Sequence, residues 1–82
     1  MLYVAHAGVF WEGKNMIGIF NSPTDAKLFI EDDAKQNAHL LCADSYYEIH
    51  AWDMEFQKAT GIYYYNWKKS EWEEFKKFTL TA

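Results

Sequence analysis

From Leu2 to Trp11 the chain carries one polar side chain, His6. In a strand, Leu2, Val4, His6 and Phe10 share one face, and Tyr3, Ala5, Ala7, Val9 and Trp11 share the other. Both faces are apolar, which predicts a central strand that is covered on both sides or used on one of them. Gly8 marks a bulge or a close backbone approach. Glu12-Gly13-Lys14-Asn15 reads as a hairpin loop with a glycine free to take positive φ, and residues 16–20 as the returning strand.

The period then changes from two to nearly four. Ser22 is a good N-cap, Pro23 suits the first helical position, and Asp25 faces the positive end of the dipole. Ala26, Phe29, Ile30 and Ala34 form one stripe, which predicts a helix over about residues 23–37 with that stripe buried. Leu28 points nearly opposite, as a surface contact or beneath a loop. Glu31, Asp32 and Asp33 spread around the helix and read as a solvated face.

Residues 45–56 alternate again. Tyr47, Ile49 and Ala51 form the expected core face beneath the helix; Tyr46, Glu48, His50, Trp52 and Met54 form a mixed face. Residues 58–61 read as a turn and 62–67 as a fourth strand. Ser70-Glu71-Trp72-Glu73 is a capping box, with Lys76 and Lys77 placed for the last turn, and predicts a short C-terminal helix over about 71–79. The sum is a single α+β domain over 1–82, with an antiparallel sheet of about four strands in ββαββα order.

Composition narrows the function classes. Aromatics make up 20% of the chain, which suits a small domain that needs an efficient core. One cysteine, Cys42, allows no internal disulfide and favours a reducing compartment. The opening M-L-Y-V-A-H-A-G has no basic region, long apolar run or cleavage site, and no run reaches the ~20 apolar residues of a membrane span. A cytoplasmic protein without membrane contact is expected. Twelve acids against eight lysines, with no arginine, give a net charge of −4 and argue against a dedicated nucleic-acid binder.

Candidate chemistry is sparse. His39-x-x-Cys42, with Asp44, supplies half of a zinc site at most, so no metal or other cofactor is expected. Ser22 and Ser70 are explained as caps, no phosphate loop occurs, and the expectation is a protein that is not an enzyme. The acid/base candidate is His50, flanked by Glu48 and Trp52; a small enzyme centred on it would need a cleft there. The aromatic excess is the remaining signal. Tyr63, Tyr65 and Trp67 share a face of the fourth strand, and with Tyr46 and Trp52 could make a platform for a protein partner or for single-stranded bases. The plainer reading is core, with Trp72, Phe75 and Phe78 of the last helix packed on Tyr63, Tyr65 and Trp67.

Ile17-Gly18-Ile19-Phe20-Asn21-Ser22, followed by Ala26 and Ile30, then Tyr47-x-Ile49 and Asp53, resembles a small uncharacterised family common in bacteria and phages. Its members show a hairpin, an "IGVFSS…A…I" strand-to-helix unit and a strand ending in "I…LD". The resemblance spans about residues 3–56 and departs at Pro23 and Met54. It implies the fold and supplies no catalytic residue. With the small size, it implies a phage or mobile-element accessory protein that binds and modulates or inhibits a host protein such as a defence nuclease. The function expected is therefore a non-catalytic protein-interaction module, with a homodimer through the aromatic face as a simpler form. Its candidate surface is Tyr46, His50, Trp52, Tyr63, Tyr65, Trp67 and Leu28. Single-stranded nucleic-acid binding is the alternative.

Overall fold

The structure is a computed structural model that describes residues 1–55 and 57–76. Its elements are β1 (Leu2–Val9), β2 (Gly13–Phe20), α1 (Pro23–Gln36), one turn of 3-10 helix (Ala38–Leu40), β3 (Ser45–Asp53), β4 (Lys58–Asn66) and β5 (Glu71–Lys76). They build an antiparallel sheet in the order β2-β1-β3-β4-β5. Both β2 and β3 run antiparallel to β1, so they are parallel to each other. The chain joins them through α1, which crosses the face of β1.

The β1–β2 turn is tighter than the expected loop. Glu12 N–H bonds to the Val9 carbonyl at 2.9 Å, and Gly13 takes φ of 90°. Gly8 marks a close approach, because a Cβ there would stand 2.4 Å from the Gly13 carbonyl oxygen. The bulge lies elsewhere, in the β1–β2 ladder between Ala5 and His6, where Ile17 is the extra residue of β2.

Helix α1 starts as its local signals require. The Ser22 hydroxyl accepts from the N–H groups of Thr24 and Asp25 at 3.1 and 3.3 Å, and Pro23 occupies the first turn. Ala26, Ile30 and Ala34 are buried, while Phe29 is only partly covered and Leu28 is exposed. The two alanines let the helix lie close on Ala5, Tyr47, Ile49 and Tyr65 of the sheet. Beyond packing, Tyr47 donates its hydroxyl hydrogen to Asp33 at 2.8 Å, joining sheet to helix.

Three expectations about the later chain are corrected. Residues 58–61 are not a turn but the start of β4: Lys58 and Ala59 pair with Asp53 and Trp52, and a register shift near Ala51 accommodates them. The turn lies earlier and includes Gln57, whose φ is 53°. The sheet therefore has five strands among the described residues, because Glu71–Lys76 is strand β5 and not the first part of a C-terminal helix. Ser70 has φ of 55°, which is the left-handed region and not the extended backbone of an N-cap. The turn before β5 is held by Asn66, whose side chain accepts from the N–H groups of Lys68 and Lys69. A single short helix is marginal alone, whereas β4 offers a free edge and Tyr65 a ring 4.7 Å from that of Trp72. Residues 77–79 of the expected helix, with Phe78, lie outside the described residues.

Candidate interaction surface

Helix α1 covers one face of the sheet. Tyr3, Ala7, Ile17, Phe20, Tyr63, Trp67 and Trp72 lie around the buried cluster on that face. The residues between them point the other way, and their cross-strand pairs follow from the register. His6 pairs with Met16 and Glu48, Glu48 with Tyr64, Val4 with Ile19 and His50, and Gly8 with Lys14 and Tyr46.

The register divides the sequence-predicted surface in two. Tyr47 pairs with Tyr65 and Ile49 with Tyr63, so Tyr63 and Tyr65 share the helix side, where Trp67 also packs. Tyr46, His50 and Trp52 alternate to the open side. The single platform expected from these residues is thus split by the thickness of the sheet. Leu28 stands apart from both groups, 59% exposed on the outer side of α1.

On the helix side both tryptophan tips are occupied. Trp67 Nε1 donates to the Ser45 carbonyl and Trp72 Nε1 to Glu31, each at 2.8 Å. The Lys27 ammonium lies over the rings of Tyr63 and Trp72, at 4.7 and 5.5 Å from their centroids. Burial, with Glu74 beside it, pushes the Tyr63 hydroxyl pKa up. The expectation that these rings serve the core holds for Tyr63, Tyr65 and Trp67, but the covering helix is α1, and Trp72 reaches them from a strand.

The open side has a polar centre and aromatic surroundings. Lys14 Nζ and His50 Nε2 each lie 2.9 Å from Glu48 Oε1, and 3.3 Å from each other. One ring nitrogen cannot donate to Glu48 and accept from Lys14 at once, so the shorter contact assigns the hydrogen to His50 Nε2, and Glu48 accepts from both. Burial raises the Glu48 pKa, but the hydrogen bonds from His50 and Lys14 outweigh it and leave the carboxyl below its ordinary value. The His6 ring sits edge-on to His50, with centroids 4.6 Å apart, and its Nδ1 is shut off from solvent with no hydrogen-bond partner. Burial, then the neighbouring His50 and Lys14, lowers the His6 pKa.

Beside this cluster Phe10 stacks on Tyr46 at 4.8 Å, and Tyr46 lies parallel to Tyr64 at 6.3 Å. Tyr46 is buried between them, while Phe10 is 65% exposed. Met16 and Ile19 of β2 are also exposed on this side. Phe10, Lys14, Glu48 and Tyr64 were absent from the sequence-predicted surface. Alternation places Phe10 with His6, but only the β3–β4 register brings Tyr64 beside Tyr46.

The two hollows described here lie away from His50. One of about 390 Å³, between α1 and the β4–β5 turn, is lined by Glu31, Ala34, Lys35, Ala38, Tyr65, Trp67 and Ser70. Another of about 220 Å³, at the end of the sheet, includes Phe10, Ser45, Tyr64 and Lys68. His50 therefore stands on a sheet face and lines neither hollow. Cys42 is exposed, and hydrogen bonding to Ser45 lowers its thiol pKa. Among the described residues no three histidine, cysteine or acidic side chains are grouped to hold a metal ion. No helix there is long and apolar enough to cross a membrane. Comparison with known protein families, curated proteins and solved structures finds no match to this chain.

Proposed function

We propose that this chain is a non-catalytic protein-interaction module that docks through the open face of its sheet. The observation that carries this reading is that, among the described residues, the sheet is covered on one side. Helix α1 closes one face, and the other presents Phe10, Met16 and Ile19 with Trp52 around a polar centre. That centre is already neutralised by its own contacts, since Glu48 holds both Lys14 and His50. A partner can therefore cover it without stranding an unpaired charge, which is otherwise costly. Aromatic anchors beside satisfied polar groups are the composition that protein interfaces favour.

The finer reading, a phage or mobile-element accessory protein that modulates a host defence nuclease, rests on the resemblance of residues 3–56 to the family described above. Single-stranded nucleic-acid binding is less well supported. Base stacking needs a free ring face, yet Tyr46 is enclosed by Phe10 and Tyr64, and Lys14 is engaged by Glu48. A small enzyme centred on His50 is supported still less, because His50 lines neither of the hollows described above.

Affinity capture from the native host, run beside Trp52→Ala, tests the reading. A partner retained by the natural chain and lost by the variant supports docking through this face. Equal capture by both, or none by either, overturns it.

A further inference from the structure

The two edges of the sheet differ. Strand β5, at one edge, reads Glu71-Trp72-Glu73-Glu74-Phe75-Lys76, so four of its six residues are charged. Charge on an edge strand is a common guard against pairing with another chain. Strand β2, at the other edge, reads Gly13-Lys14-Asn15-Met16-Ile17-Gly18-Ile19-Phe20, and its one charge, Lys14, is bonded to Glu48. Apolar groups flank β2 on both layers. Met16 and Ile19 stand on the open side at 59% and 54% exposure. On the helix side Phe29, 37% exposed, packs on Phe20 with ring centroids 5.2 Å apart.

We infer that β2 is a self-association edge whose occupant is the β2 strand of a second copy, paired antiparallel across a two-fold axis. Three edge pairings are available to two copies. Pairing β5 with β5 over its full length sets Glu73 of each copy opposite Glu74 of the other at the centre of the interface, which is unfavourable, although Glu71 then pairs in register with Lys76. Pairing β2 with β5 is head-to-tail and leaves free edges that propagate without closing. Pairing β2 with β2 is closed, meets no like charge on Asn15–Phe20, and sends the acidic β5 strands to opposite ends of a ten-stranded sheet. At about 4.8 Å per strand those ends stand roughly 40 Å apart, well beyond the ~8 Å screening length at physiological salt.

The two-fold axis of an antiparallel edge pair is perpendicular to the sheet. Both helices then lie on one side and both open faces on the other, forming one continuous surface. The bulge at Ile17 interrupts the strand, so the pairing is short and the dimer is weak and concentration-dependent. This inference concerns the edge alone and does not depend on what the open face binds.

Light scattering after size exclusion, from about 10 µM to about 1 mM, reads the mass over the range where weak interfaces dissociate. The mass is expected to rise towards that of two chains. Amide exchange is expected to slow with concentration in residues 13–20 and to stay constant in 71–76. Ile19→Lys and Met16→Lys, both at exposed positions, should each weaken the dimer by about tenfold by setting a lysine of each copy into the apolar pairing edge, with circular dichroism confirming the fold. A strict monomer at the highest concentration overturns the inference. So does a dimer indifferent to both lysines, or concentration-dependent protection in 71–76 in place of 13–20.

Discussion

The two faces of this sheet carry aromatic residues in similar style and use them differently. On the helix side the rings are buried or partly buried and polar tips are tied inward: Tyr47 to Asp33, Trp72 to Glu31 and Trp67 to the Ser45 carbonyl. Each of these bonds reaches another element, so the rings fasten α1, β3, β4 and β5 together. On the open side the hydrogen bonds of the polar centre run laterally between strands, Lys14 to Glu48 to His50. What separates the buried face from the open one here is the direction of the polar tips. The number of aromatic rings does not decide it.

The contrast predicts unequal costs of truncation, and the largest falls under the helix. Ile30 has no exposed surface and touches the centre of the core. Ile30→Ala should destabilise the chain by about 2–5 kcal/mol, read from the midpoint of urea unfolding. A loss below about 1 kcal/mol would mean that α1 is not the main cover of the sheet and would dissolve the contrast between its faces.

The same contrast explains what the sequence made legible. Helix α1 was readable because its cap, proline and alanine stripe are contiguous, and each acts within one or two turns. The strand alternation of residues 45–53 was readable for the same reason. Strand β5 was not, because Ser70-Glu71-Trp72-Glu73 carries helix-start chemistry locally while its actual partners are remote. The deciding contacts are Trp72 with Glu31, 41 positions away, and with Tyr65 across the β4 edge. The surface failed at a related point. Tyr63, Tyr65 and Trp67 do share a face, but which face depends on pairing Tyr65 with Tyr47 and not with Tyr46. One residue of register moves the whole set. The His6–His50–Glu48–Lys14 cluster draws on three strands, so no local spacing announces it.

That cluster gives the open face its own dependence on pH. The His6 pKa lies below its ordinary value of 6.5, so the unfolded chain takes up a proton more readily than the folded one. Its contribution is complete above about pH 6.5 and is lost as pH falls through the lower folded value. The Glu48 pKa also lies below its ordinary 4.5, so its contribution is present above that value and is lost at more acid pH. The groups facing these two are Lys14 from β2, His50 from β3 and Tyr64 from β4, and none reverses the sign. Urea midpoints should be level from pH 8 to about 6.5 and then decline in two stages. His6→Gln should remove the first stage and keep the second. A midpoint that rises on acidification would show that this cluster does not govern the pH response.

The smallest effect is expected where the ring is large but the surroundings are open. Phe10 stacks on Tyr46, yet 65% of it remains exposed, and it lies beyond the end of β1. Phe10→Ser removes one stacked pair and a minor share of apolar contact, so the loss in stability should be about 1 kcal/mol or less. The same substitution opens one face of Tyr46 to water, which should appear as a changed near-ultraviolet circular dichroism signal with the far-ultraviolet signal preserved. If Phe10→Ser instead costs as much as Ile30→Ala, the row Phe10–Tyr46–Tyr64 is a second core that the chain needs in order to fold. The open face would then have to be read as structure first, with docking confined to Met16, Ile19 and the β2 edge.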